Sequence, residues 1–248
     1  MNFHTISDGG GIEGIGALLQ YQLFCYGYCI LNNSSFSFNG FTNLQHFQYT
    51  TQTQKQFSDT VSNFCGLPVT EINKSSTYLD PPFLMEYGQK NIDKIVPLLT
   101  KIKINNISDC YFDLSKINIA VHIRMFTKTD CDPSPVRECH NHIDLKKTLE
   151  YYTFIFKRIK TLYPDKQLVF HIYSQGSSEQ FDVFKEIFSE NTEYHLDEHP
   201  IITLQHMIYS DVLVMANSSL SYVAHLYGRN KCIAKPTFYH SLYTPNII

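Results

Sequence analysis

From residue 117 onward the chain alternates strand-sized apolar runs with amphipathic helical stretches, and this rhythm limits the fold more than any other feature. Residues 117–124 read as a buried strand, followed by a loop holding Asp130, Asp132, Pro133 and Pro135. A long helix is predicted over 144–162, with Leu145, Leu149, Tyr152, Ile155, Phe156 and Ile159 on one face. Further strands are predicted at 167–173, 193–195, 211–215 and 231–234, separated by helices at 177–189, 201–209 and 218–227. Strands joined through helices run parallel, because each right-handed crossover returns the chain to the same end of the sheet. Residues 117–248 are therefore expected to form a doubly wound, Rossmann-like parallel sheet.

The first 116 residues are less regular. Glycines 9, 10, 11, 14 and 16 precede Ile15, Leu18, Leu19, Gln22, Leu23 and Tyr26 at helical spacing. Such a glycine-rich opening is either a phosphate- or acceptor-facing turn or simply a turn that caps a core helix. Residues 32–60, rich in Asn, Gln, Ser, Thr and Phe without clean period, read as loops and short helices. Pro81-Pro82 punctuates the chain, and a helix over 89–101 is expected to be kinked or interrupted at Pro97. A stretch of this length is too short for a second full doubly wound domain. A reduced N-terminal domain, α/β or mainly helical, is expected over 1–116.

Charge excludes one class of partner. Lys and Arg number 20 against 23 Asp and Glu, a net charge of −3, so nothing coats a phosphate backbone and nucleic acid is not an expected partner. The start of the chain lacks the basic and apolar regions of a secretory leader, and no apolar run approaches a membrane span. The seven cysteines, an odd and scattered set, suit reduced thiols better than a disulfide framework. A cytoplasmic location is expected. The sequons at Asn73 and Asn217 then carry no weight.

Ligands of doubly wound sheets bind beyond the carboxyl ends of the strands. His122, Arg124, Lys128, Asp130 and Asp132 follow the first predicted strand; Ser174, Gln175 and Gly176 follow the second. Asn217, Ser218 and Ser219 follow the 211–215 strand at the start of a helix. A guanidinium fork beside a helix N-terminus, with its free N–H groups and hydroxyls, makes a diphosphate cradle. Asp197, just past the 193–195 strand, is placed to accept from the exocyclic amine of a base. Each residue alone has a plain structural reading: His122 as a core imidazole, Arg124 as an ion-pair partner of Asp132, the serines as helix caps. Their convergence on one sheet edge favours the ligand site.

Within these segments VHIRMFTKTDCD is similar to the His-x-Arg segment of the GDP-fucose-dependent fucosyltransferases, the alpha-1,6 branch above all, with its alpha-1,2 and protein-O-fucosyltransferase relatives. YSDVLVMANSSLSYVAHLYG resembles the family's apolar strand, serine pair and helix, and residues 193–197 resemble the short strand whose aspartate meets guanine. The resemblance covers about the C-terminal half. It implies a GT-B-like α/β fold and places His122 by the nucleotide, Arg124 on the β-phosphate of the departing GDP, Asp197 on guanine, and Ser218 and Ser219 on the diphosphate. Ser174, Gln175 and Asn217 complete the expected donor site. Lys128 and Asp132 match the offsets of the alpha-1,6 branch's lysine and carboxylate, which implies Asp132 as general base and Lys128 as an aid to the phosphates. Two positions depart from the family: Met125 stands where it has a second arginine, and Thr127 where the alpha-1,2 motif is acidic.

The expected activity is inverting transfer of a sugar, fucose from GDP-fucose first, to a hydroxyl of a glycan or glycoprotein acceptor. An arginine clamp needs no metal, so no cofactor is expected; Asp130-Cys131-Asp132 as a divalent-cation site is the less favoured route. Cys131, Cys139, His140 and His142 lack the paired spacing of a structural zinc site. The alternatives are a different nucleotide sugar, a non-catalytic nucleotide- or sugar-binding module, or an unrelated phosphate-handling enzyme of doubly wound type.

Overall fold

The structure, a computed structural model, describes residues 1–10, 14–45, 47, 50–109, 112–124, 145–181, 191–233 and 240–248; the side chains of 145–149 and 180 lie outside that description. Two parallel sheets follow one another along the chain. The first has β1 (Asn2–His4) between β2 (Ser35–Phe36) and β3 (Thr77–Tyr78). The second comprises β4 (Ile117–His122), β5 (Leu168–Ser174), β6 (Thr192–Leu196), β7 (Val212–Val214) and β8 (Lys231–Ile233), in spatial order β6-β5-β4-β7-β8. All its pairings are parallel, and the order reverses between β4 and β7. That is the doubly wound sheet the sequence predicts, with a smaller α/β unit before it: a GT-B-like arrangement with a reduced first sheet.

Helices α1 (Ile15–Leu31), α2 (Gln54–Phe64), α3 (Pro81–Lys90) and α4 (Ile92–Leu99) belong to the first half. Helices α5 (Leu145–Leu162), α6 (Pro200–Tyr209) and α7 (Ser219–Leu226) belong to the second. Of the predicted 177–189 helix, the structure shows a 3-10 turn at Ser178–Phe181, and 182–190 lie outside the described residues. Two N-terminal expectations need correction. Pro81-Pro82 opens a helix instead of only interrupting the chain, since proline at the first helical positions forfeits no hydrogen bond and has its φ already set. The 89–101 helix is two helices meeting at Asn91, with Pro97 inside the second. In the polar 32–60 stretch, α2 starts from a capping box between Thr53 and Gln56.

Both faces of the second sheet are covered, which explains its near-continuous apolar strands. Ile119, Val121 and Ile123 pack with Tyr152, Ile155 and Ile159 of α5 on one face. Ala120, Tyr173, Leu213 and Met215 face the other way, into a core shared with α6, α7 and the N-terminal half. Leu18, Leu19 and Leu23 of α1 sit in that same core with Val223 and Leu226 of α7. No helix among the described residues is long and apolar enough to cross a membrane.

Candidate active site

Where the strand order reverses, two neighbouring crossovers leave on opposite faces and a crevice opens at the carboxyl edge. A cavity lies there. His122, Arg124, Ser174, Gln175, Asp197, Ser218 and Ser219 all line it, together with Gly14, Gly16, Glu198 and Thr203. Seven residues singled out from strand ends thus meet in one space. Asn217 does not line it and is exposed. Lys128, Asp130 and Asp132, with Cys131, Cys139, His140 and His142, lie outside the described residues.

Arg124 enters the cavity from just past β4, and its Nη1 donates to Gln175 Oε1 at 3.0 Å, which orients the guanidinium. Ser174 Oγ donates to the Ile123 carbonyl at 2.7 Å and clips the ends of β4 and β5 together. Gln175 and Ser174 therefore position the guanidinium and the strand ends. His122 closes β4 and is buried, with Nδ1 lacking a hydrogen-bond partner. Burial, with the Arg124 charge beside it, pushes the imidazole down to about 3. At neutral pH His122 is an uncharged hydrogen-bonding group and no proton donor of imidazolium type.

Two helix starts converge on the same cavity. Ser218 caps α7, its Oγ accepting from the Leu220 N–H at 3.3 Å. α1 begins at Ile15 with Gly14 as N-cap and no side-chain cap. Neither helix has an acidic residue in its first turn, so both present positive dipole ends. Gly16 makes the approach possible: a Cβ there would lie 2.5 Å from Leu220 N and 2.6 Å from the Ser219 carbonyl carbon. The glycine-rich opening is thus tied to the same cavity as the serine pair.

The wall at Asp197 and Glu198 is acidic. Asp197 holds a left-handed φ of 53°, and its carboxylate accepts from the Gly176 N–H at 3.2 and 3.3 Å. Aspartate tolerates that conformation better than most residues because its short side chain bonds locally. Beside it, Glu198 Oε1 lies 2.8 Å from His195 Nδ1, and Oε2 is buried without a hydrogen-bond partner. Glu198 was not singled out from sequence; its place directly after Asp197 was the available signal. The cavity therefore has a cationic side built for an anion and an acidic side suited to amines or hydroxyls.

No family model matches the chain, and no curated protein matches it. Among solved structures it is similar to a crystal structure of NodZ alpha-1,6-fucosyltransferase soaked with GDP-fucose, with TM-score 0.48 and 9% identity over 97% of each chain. A second, NodZ alpha-1,6-fucosyltransferase co-crystallized with GDP, has TM-score 0.42 and 9% identity, covering 90% of this chain and 92% of that one.

Proposed function

We propose that the chain is a glycosyltransferase holding a nucleotide sugar, GDP-fucose first, at the reversal point of its second sheet. The observation that carries this reading is the convergence of the Arg124 guanidinium and two helix N-termini on one cavity. Such donors neutralise a diphosphate in the ground state and, more strongly, as its charge grows when the glycosidic bond breaks. Asp197 accepts from the base amine, and neutral His122 hydrogen-bonds the nucleotide. Asp132 as general base on the acceptor hydroxyl and Lys128 beside the phosphates complete the proposal, as the family resemblance implies. The transfer inverts the anomeric centre and uses no metal on the phosphates. Residues 1–116 present the glycan or glycoprotein acceptor, and 117–248, joined by the start of α1, hold the donor.

Calorimetric titration with GDP tests the reading. Arg124→Ala removes a charge-assisted contact, so affinity is expected to fall about tenfold or more. Equal affinity in wild type and variant sinks the donor-site assignment. One observation favours a second reading, a binding module without turnover: Met125 stands where the resembled family has its second arginine. GDP binding without release of sugar from any donor in a nucleotide-sugar panel would select it.

A further inference from the structure

Behind the acidic wall lies a group of buried imidazoles that the donor reading does not use. His195 and His206 are 8% and 0% exposed, and one ring nitrogen of each lies with a Glu198 oxygen so that all three atoms are within 4.8 Å of one another. The three come from two elements: His195 from β6, Glu198 from the turn after it, and His206 from α6. Two imidazoles and a carboxylate are the donor set that borderline divalent cations take, leaving a fourth position for water or a ligand. Glu198 also lines the cavity, so the group adjoins the proposed donor site.

The surroundings match a metal site in a second, independent way. A ligating imidazole is normally held by its other nitrogen, which sets tautomer and ring direction. His195 Nε2 lies 3.1 Å from His171 Nδ1, and His171 Nε2 lies 3.3 Å from Asn118 Oδ1. Asn118 is itself oriented, since its Nδ2 donates to the carbonyls of Asp113 and Lys116 at 3.1 and 3.3 Å. His206 Nδ1 lies 3.1 Å from the Tyr173 hydroxyl, and the Tyr173 ring stacks on His195 at 4.7 Å and 15°. His195 is thus braced through Nε2, away from Glu198, and His206 is held through Nδ1, while Glu198 keeps a buried oxygen with no hydrogen-bond partner. A second grouping, of His171, Glu193 and His195, uses an exposed carboxylate and competes for the same His195 ring.

We propose that His195, Glu198 and His206 bind a single divalent transition-metal cation of the zinc class beside the cavity. His195 Nδ1 and Glu198 Oε1 touch at 2.8 Å, whereas ligand atoms of a tetrahedral zinc stand about 3.3 Å apart. Binding therefore needs Glu198 to move by roughly half an ångström, within the reach of a side-chain rotation. The inference stands on this cluster alone and holds whether or not the cavity takes a nucleotide sugar.

The test uses the full chain, stripped with a chelator and titrated with Co2+ while the visible ligand-field absorption of a four-coordinate ion is recorded. One Co2+ per chain, displaced by Zn2+, is expected, with affinity falling about tenfold or more in both Glu198→Gln and His206→Gln. Asp130→Asn with Asp132→Asn is expected to leave the band intact. No band in the wild type, or a band insensitive to Glu198→Gln, overturns the site and leaves a His195–Glu198 hydrogen bond only. Loss of the band in the aspartate variant instead assigns the metal to the loop and equally overturns it. Should His206→Gln fail to fold, Glu198→Gln decides, because the Glu198 side chain is 28% exposed and tolerates an isosteric change.

Discussion

Replacing Gly16 by alanine probes how two helices share one cavity. The new Cβ meets Leu220 N at 2.5 Å, the Ser219 carbonyl carbon at 2.6 Å and Ser219 Oγ at 2.6 Å. Ordinary contacts of this kind lie near 3.5 Å, so the starts of α1 and α7 must part by about 1 Å. The first two of those atoms are backbone, and no rotamer change relieves them. Overpacking of this sort costs about 1–3 kcal/mol, offset in part by alanine's better helix propensity. A net loss of about 1–2 kcal/mol lowers Tm by roughly 2–8 °C for a chain of this size. The same parting pulls the Ser218–Ser219 end away from Gly14 and Ile15, and a misplacement of about 1 Å in such a cradle reduces GDP affinity tenfold or more. Gly27→Ala is the control: its Cβ meets only the Ile95 side chain, at 2.9 Å, far from the cavity. The assays are urea unfolding and calorimetric GDP titration of both variants. If Gly16→Ala binds GDP like wild type, or keeps full stability, the argument that this glycine joins two anion-facing helix ends fails.

Arg124→Lys keeps the charge but loses the planar fork that holds Gln175 and an anion together, so GDP affinity should drop several-fold, less than for Arg124→Ala; calorimetry decides. His225 is buried, its Nε2 accepts from the Tyr243 N–H at 2.9 Å, and burial lowers its pKa from 6.5 to about 4. Below pH 6.5 the unfolded chain takes up a proton that the folded chain refuses, so stability is full above 6.5 and falls towards pH 4. His225→Gln should therefore lose about 2 kcal/mol less than wild type between pH 7 and pH 5, read from urea midpoints. Tyr227 Oη donates to the Cys65 carbonyl at 3.0 Å in the interior, and Tyr227→Phe should cost about 1–2 kcal/mol in thermal unfolding. Cys25, Cys29, Cys65 and Cys232 are all buried and free, so mass mapping after iodoacetamide treatment should find them labelled only in denaturant.

Legibility from sequence followed burial. Strands β4, β5 and β7 are covered on both faces, and residues 117–124, 167–173 and 211–215 read accordingly as nearly continuous apolar runs. Strands of two residues such as β2 and β3 have too few positions to show a period, and their pairing with Phe3 reaches forward to Phe36 and Thr77, far along the chain. The strand-end rule brought His122, Arg124, Asp197 and the serine pair to one cavity, because every parallel strand ends at the same edge. It did not separate residues aimed at a ligand from those, like Ser174 and Gln175, that brace a neighbour. The imidazole group escaped notice because His171, His195 and His206 come from three elements. The alternation of His171 and Tyr173 with Phe170 and Ile172 was its one local trace.

The core that α1 shares with α6 and α7 bears on how such a protein can be re-engineered. Cutting at residue 116 would leave α6 and α7 on the second sheet but strip α1 from α7, exposing apolar residues such as Tyr222, Val223 and Leu226 to water. Residues 117–248 are then a poor candidate for expression by themselves, and grafting them onto a foreign acceptor module would give an aggregating chimera unless α1 travelled with them. On the proposed assignment, new acceptor specificity is better sought by redesigning surface loops of the first half than by shuffling halves. In this chain the half proposed to meet the acceptor is also part of the scaffold on which the proposed nucleotide slot is built.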